Sequence, residues 1–293
     1  MVKKIGTWFF VMAVVFPTTV FAQTTSLPVS TPVRVDPREI ESLIGAQAYV
    51  VMDPVSGTIL TMKQEDRVWP IASLTKLITA SVVLDQKVSI QKLVGIKNVD
   101  NVGGARLYVN EGSTFSVGDL FYAALVASAN NAANALARST GLSKLSFVQE
   151  MNLRASALGL TKTSFVDPTG IETQNVSTAR EMATIARAVF SRPEIQKYTT
   201  TATRFIQVAS QGATKKMINT NWLVWKPQYD DLWVTGGKTG YLDEAGWNLA
   251  VSLRPSKNDE RDLLIVLFGA DSRAASFVDA ERLANWAWDV YKW

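Results

Sequence analysis

Strand-like sequence lies toward the two ends of this 293-residue chain, and helix-like sequence fills the middle. Residues 46–53 and 58–62 read as strands joined by the turn Pro54-Val55-Ser56-Gly57, which makes a hairpin. Residues 73–85 then carry Leu74, Leu77, Ile78 and Val82 at helical spacing, and 117–138, 142–158 and 178–190 continue that pattern. Strands return at 231–235, 246–253 and 262–269, with a turn over 255–260 between the last two. An amphipathic helix at 272–291 follows, with Leu283, Trp286 and Val290 spaced to pack it on a sheet rather than on a membrane. Two strands first and three last cannot make alternating strand–helix–strand units. The order predicts an α+β fold: an antiparallel five-stranded sheet built from both chain ends, flanked by helices, with a helical subdomain inserted between. No repeat or second folded domain is visible, so 39–293 reads as a single domain.

The N-terminus pairs Lys3 and Lys4 with an apolar run over 8–16, then Pro17 and the small-residue pattern Val20-Phe21-Ala22. Residues 1–22 therefore read as a signal peptide cleaved after Ala22. The run is too short to span a bilayer, so no transmembrane anchor is expected after cleavage. Residues 23–38, rich in Ser, Thr and Pro, read as a loose lead-in. An exported chain without cysteine suits a Gram-negative periplasm.

Absent residues narrow the chemistry. With Cys at 0 there is no disulfide and no thiol nucleophile, and with His at 0 there is no Ser-His-Asp triad. No ligand cluster calls for a metal, and no organic cofactor is expected. Removing Lys3 and Lys4 with the leader lowers the formal charge from +4 to +2, and no Lys/Arg block remains to hold nucleic acid. Acid–base chemistry near neutral pH is left to Lys, Tyr, Asp or Glu with a shifted pKa.

One pairing fits that restriction. PIASLTKLITASVVLD, at 70–85, sets Ser73 three residues before Lys76 at a helix start, where the two share a face. Helix N-terminal amides and dipole favour negative charge there. Ser73 also reads as a simple helix N-cap, and Ser-x-x-Lys recurs at Ser89 and Lys92 in a loop-like stretch. Two further pieces matter. Ser128-Ala129-Asn130 lies in LVASANNAANALA, a small-residue run between helical stretches that also reads as a tightly packed helix junction, and Ser-x-Asn recurs at Ser256 and Asn258. Lys238-Thr239-Gly240 occurs once, where a solvated edge strand is the plainer reading. Ser-x-x-Lys, Ser-x-Asn and Lys-Thr-Gly in this order form the triplet of penicillin-binding proteins and class A β-lactamases.

On these motifs the chain resembles the low-molecular-mass penicillin-binding proteins, serine D-alanyl-D-alanine peptidases of the S11 type, and in particular their endopeptidase branch. The likeness extends through RLYVNEG (106–112), FVDPTGI (165–171), VSTARE (176–181), NTNWLVW (219–225) and KTGYLDEAGWNLAV (238–251), with Ala129 where glycine is common. The resemblance implies a transpeptidase-like catalytic domain with Ser73 as nucleophile, Lys76 as its base and Ser128 as proton relay to the leaving amine. It further implies that Asn130 orients Lys76 and holds the substrate amide, and that Lys238 and Thr239 bind a terminal carboxylate. Gly240 would let the acyl chain lie along the strand, and the amides of Ser73 and Tyr241 would form the oxyanion hole. A lysine base needs its pKa brought down from about 10.4, by burial or by a neighbouring cation such as Lys238. Peptidoglycan stem peptides are the implied substrate and β-lactams the implied inhibitors. Three alternatives stay open: a D-alanyl-D-alanine carboxypeptidase, a class A-like β-lactamase, and a silent peptidoglycan-binding scaffold. No Glu-x-x-Leu-Asn pentapeptide lies between Ser128 and Lys238, which disfavours the β-lactamase.

Overall fold

The computed structural model describes residues 1–3 and 30–293; the expected cleavage site after Ala22 and all but the first three residues of the expected leader lie outside them. Strands β1 (Ala48–Met52) and β2 (Ile59–Lys63) come from early sequence, and β3 (Trp233–Leu242), β4 (Gly246–Arg254) and β5 (Leu263–Ala270) from late sequence. They form one antiparallel sheet in the order β3-β4-β5-β1-β2. The two ends of the chain meet where β5 pairs with β1, with Val266 opposite Val50. This is the expected α+β arrangement.

Both faces of the sheet are covered, which is why β5 and β1 are apolar at every position. Met52, Val50, Leu264, Val266 and Phe268 enter one core, while Tyr49, Val51, Leu263, Ile265 and Leu267 enter the other. The second core is closed by α7 (Arg273–Val290), capped by Ser272, whose hydroxyl accepts from Ala275 N. Leu283, Trp286 and Val290 are buried there, as their spacing predicts. The first core lies under the inserted helices. These are α1 (Thr75–Asp85), α2 (Val117–Leu125), α3 (Asn130–Ser139), α4 (Lys144–Ala157), α5 (Ala179–Phe190) and α6 (Pro193–Thr199).

The structure departs from the sequence reading in several details. The stretch 117–138 is two helices joined at the small-residue junction around Ser128, a non-glycine residue whose φ of +59° the sequence does not signal. Ser73 lies in a 3₁₀ turn over Ala72–Leu74 and caps nothing through its side chain, so the N-cap reading falls. Strand β3 is an edge strand, but it runs on to Leu242 and buries Lys238 where a solvated lysine is the plainer reading. A hairpin of Thr203–Val208 with Ala213–Ile218 was not anticipated. The lead-in is not loose at its end: Val33–Arg34 pairs with Tyr291–Lys292, and Val35 N donates to Val290 O at 2.8 Å.

Leu283 is fully buried between α7 and the sheet. Leu283→Ala is expected to cost about 2–5 kcal/mol in urea unfolding; a loss below about 1 kcal/mol would mean that α7 does not close this core.

Candidate active site

Three segments converge on a cavity of about 390 Å³ whose lining includes Ser73, Ser128, Asn130, Thr239, Tyr241 and Arg273. The corner before α1 is strained. Ala72 has φ +49°, a left-handed conformation that costs an L residue about 1–2 kcal/mol. Gly170 is pressed against it: with φ +81° itself, it lies so close that a Cβ would stand 1.8 Å from the Ala72 carbonyl oxygen. From this corner Ser73 is left partly exposed to the cavity, while its neighbours Ala72 and Leu74 are buried.

Lys76 follows one turn later and is buried, at 1% exposure. Its Nζ has three neighbours, each at 2.7 Å: Ser73 Oγ, Asn130 Oδ1 and the Thr169 carbonyl oxygen. The Asn130 amide cannot turn over without loss, because its Nδ2 donates to Gly103 O at 2.8 Å. Burial brings Lys76 down from 10.5 to about 7, against the opposing pull of the Asp167 carboxylate. A neutral amine has two protons and one lone pair. Asn130 Oδ1 and Thr169 O only accept, so they take the two protons. The lone pair is left facing the one neighbour able to donate, the Ser73 hydroxyl.

The second lysine is equally buried. Lys238 Nζ donates to Ser128 Oγ at 2.9 Å and to Thr239 O at 2.8 Å. Burial lowers its pKa well below the ordinary value, and repulsion from Lys76 and Arg273 adds to this. Beside it, Thr239 Oγ1 donates to Thr220 Oγ1 at 2.7 Å, and Arg273 Nη2 donates to Thr220 O at 2.6 Å. Half-burial lowers the Arg273 guanidinium as well. This end of the cavity thus concentrates cationic side chains and hydroxyls around open space, which suits a carboxylate. Strand β3 crosses the start of α1 at Gly240, where a Cβ would lie 2.9 Å from Ile71 O and 3.3 Å from Ser73 N. Tyr241 is exposed at the cavity and packs against Trp247, with ring centroids 4.3 Å apart and the rings tilted by 31°.

All eight residues singled out in the sequence, Ser73, Lys76, Ser128, Asn130, Lys238, Thr239, Gly240 and Tyr241, therefore come together. Ser128 differs in detail from expectation, since its hydroxyl is bonded to Lys238. The second Ser-x-x-Lys is unrelated to the cavity: Ser89 Oγ bonds Gln91 and Lys92 Nζ donates to Ser139 O. Sequence reasoning missed Thr169, which acts through a carbonyl that any residue carries. It also missed Arg273, a lone arginine at a helix start with no local pattern to mark it.

Comparison with known proteins agrees with this geometry. A family model described as D-alanyl-D-alanine carboxypeptidase, Peptidase S11, matches residues 34–272. A D-alanyl-D-alanine endopeptidase of Pseudomonas aeruginosa is 32% identical over 89% of this chain and 84% of its own length. One of Escherichia coli is 32% identical over 83% of this chain and 77% of its own. Among solved structures, a Streptomyces DD-transpeptidase superimposes with TM-score 0.76 and 25% identity, covering 84% of this chain and 98% of that one. Penicillin-binding protein D2 of Listeria monocytogenes in its cefotaxime-bound form gives TM-score 0.72 and 29% identity, with the same coverages.

Because a Cβ at Gly170 meets backbone rather than a yielding side chain, Gly170→Ala is expected to lower stability by about 2–4 kcal/mol. A melting temperature within a degree or so of wild type would show that the 170 loop does not press on the Ser73 corner.

Proposed function

The chain belongs to the D-alanyl-D-alanine carboxypeptidase family, peptidase S11, and on that premise we propose that it is a D,D-endopeptidase cutting peptidoglycan cross-links outside the cytoplasm. It is a serine-type D-Ala-D-Ala peptidase. The observation that carries the mechanism is the set of partners around Lys76 Nζ, two acceptors and one hydroxyl.

Ser73 Oγ attacks the carbonyl carbon of the D-Ala residue that forms the cross-link while its proton passes to the Lys76 lone pair. Backbone amides of Ser73 and Tyr241 receive the developing oxyanion, a contribution of about 3–4 kcal/mol per donor. Asn130 holds both Lys76 and the substrate amide. The carboxylate beside the scissile bond sits against Lys238, Thr239 and Arg273, with Gly240 leaving room for the acyl chain along β3. That carboxylate also acts on the base. It favours the charged form of Lys238, and a charged Lys238 disfavours charge on Lys76, so a correctly bound substrate drives the base toward its free form. The C–N bond then breaks as Ser128 gives its hydroxyl proton to the leaving amine and takes one from Lys238, to which it is bonded. Water hydrolyses the Ser73 ester, giving one proton back to Ser128 and Lys238, while Lys76 returns to Ser73 Oγ the proton it took.

Slow hydrolysis of a β-lactam ester follows from the 165–171 stretch. Its one carboxylate, Asp167, is buried and bound to loop donors, so this stretch offers no free carboxylate to activate a water. Penicillins accordingly act as trapping inhibitors. The cut at a cross-link, rather than at a terminal D-Ala, is supported by the relatives that bear the endopeptidase name and by NTNWLVW, which brings Thr220 to the carboxylate end. Trimming of pentapeptides is the second reading, favoured by the carboxypeptidases among the relatives. The leader read from the sequence supports export.

Intact mass of the protein with a penicillin is expected to show one persistent adduct, absent from Ser73→Ala; rapid consumption of the drug would point to a β-lactamase instead. The acylation rate should fall about tenfold per pH unit below the Lys76 value of about 7 and level off above it. A rate still climbing toward pH 10 would rule out a neutral Lys76. Cross-linked muropeptide dimers should give monomers; release of terminal D-Ala without monomers would establish the carboxypeptidase.

A further inference from the structure

Asp167 lies outside the three motifs, yet the architecture of the site passes through its carboxylate. It is 3% exposed. Oδ1 accepts from Thr169 N at 2.6 Å, from the Thr169 hydroxyl, and from Gly170 N at 2.9 Å. Oδ2 accepts from Glu172 N at 3.1 Å and from the Asn175 side-chain amide. Five donors from one loop therefore close on one anion. With its curvature set in this way, the loop turns two successive carbonyls onto successive turns of α1. Pro168 O takes the Thr79 hydroxyl at 2.7 Å, and Thr169 O takes Lys76 Nζ at 2.7 Å. The next residue, Gly170, is the one wedged under Ala72. Asn175 ties the far end back, since its carbonyl accepts from Ile71 N at 3.0 Å.

We propose that Asp167 is a positioning residue for the acylation step, fixing the 167–175 loop against Ser73 and Lys76 and placing a permanent negative charge beside the Lys76 amine. This rests on the reading of Lys76 as the base of Ser73. Burial pushes the Asp167 carboxyl up, but the donors from Thr169, Glu172 and Asn175 more than reverse this and hold it ionised. Its charge opposes the effect of burial on Lys76 and keeps that amine basic enough to accept the serine proton. The other groups around Lys76 do not duplicate it. Strand β3 presents the basic group Lys238, helix α3 presents the neutral Asn130, and Arg273 acts on Lys238. Asp85, Arg154 and Arg192 pair with one another at the far end of α1, and Glu172 is exposed.

The test is the pH profile of penicillin acylation, followed by intact mass, for wild type, Asp167→Asn, Asp167→Thr and Asp167→Glu. Loss of the charge should move the acid limb of the two neutral variants about 0.5–1 pH unit lower. At pH 6 they would then keep a roughly three- to fivefold larger share of their own plateau rate than wild type keeps. The plateau itself should fall, and Asp167→Glu should leave the limb in place. A merely structural residue would lower the plateau or the melting temperature with every limb unmoved, and that result overturns the proposal. So would failure of both neutral variants to fold, which would make Asp167 a stabilising residue only. Absence of an adduct on the wild type would instead remove the acyl-enzyme reading on which the proposal stands.

Discussion

An amine cut off from water, with two oxygen acceptors and one hydroxyl in reach, is poorly placed to carry a charge and well placed to take a proton from that hydroxyl. Lys76 is in this position, and the rest of the site is arranged around it. The arrangement has a cost. An unfolded chain leaves Lys76 at its ordinary 10.5, whereas the folded protein holds it at about 7. Between those values the unfolded state binds more protons, so stability falls as pH drops through that window, on the order of 5 kcal/mol from this one group. Stability is given up where reactivity is needed, and the two apolar cores on either face of the sheet offset it.

The fold meets the demand with rigid parts. Lys238 comes from an interior position of β3, paired to β4 through Ala250, so its ammonium has no freedom to leave Ser128. Ser73 and Lys76 are one turn apart at the beginning of α1, and the left-handed Ala72 sets the approach. Two close contacts lock these pieces together, at Gly240 against Ile71 and at Gly170 against Ala72. At both contacts the glycine is required because backbone lies where a Cβ would go. Two cationic side chains and a carboxylate-sized opening then make substrate binding and base activation parts of one electrostatic event.

Much of this was legible in the sequence. Strand and helix order gave the sheet its composition from both chain ends, because an early hairpin and three late strands allow few other pairings. The paired motifs gave the reactive side chains, since the absence of histidine and cysteine left lysine as the base. What escaped were features without a side-chain signature. The small residues of LVASANNAANALA suggest a helix junction, but no glycine marks the left-handed turn that Ser128 makes there. Lys238 reads as a strand-edge lysine until the continuation of β3 buries it. Thr169 contributes a carbonyl, and Arg273 reaches the site from the opposite side of the sheet's end. Asp167 was visible in FVDPTGI as part of a resemblance, but its role depends on five donors that only the folded loop brings together.

The most direct measurement is the titration of Lys76 itself, by carbon-13 NMR of lysine-labelled protein with the resonance assigned through its loss in Lys76→Met. A midpoint near 7 is expected. A resonance that stays protonated until its ordinary value of 10.5 would contradict the neutral base, and with it the way this site activates its serine.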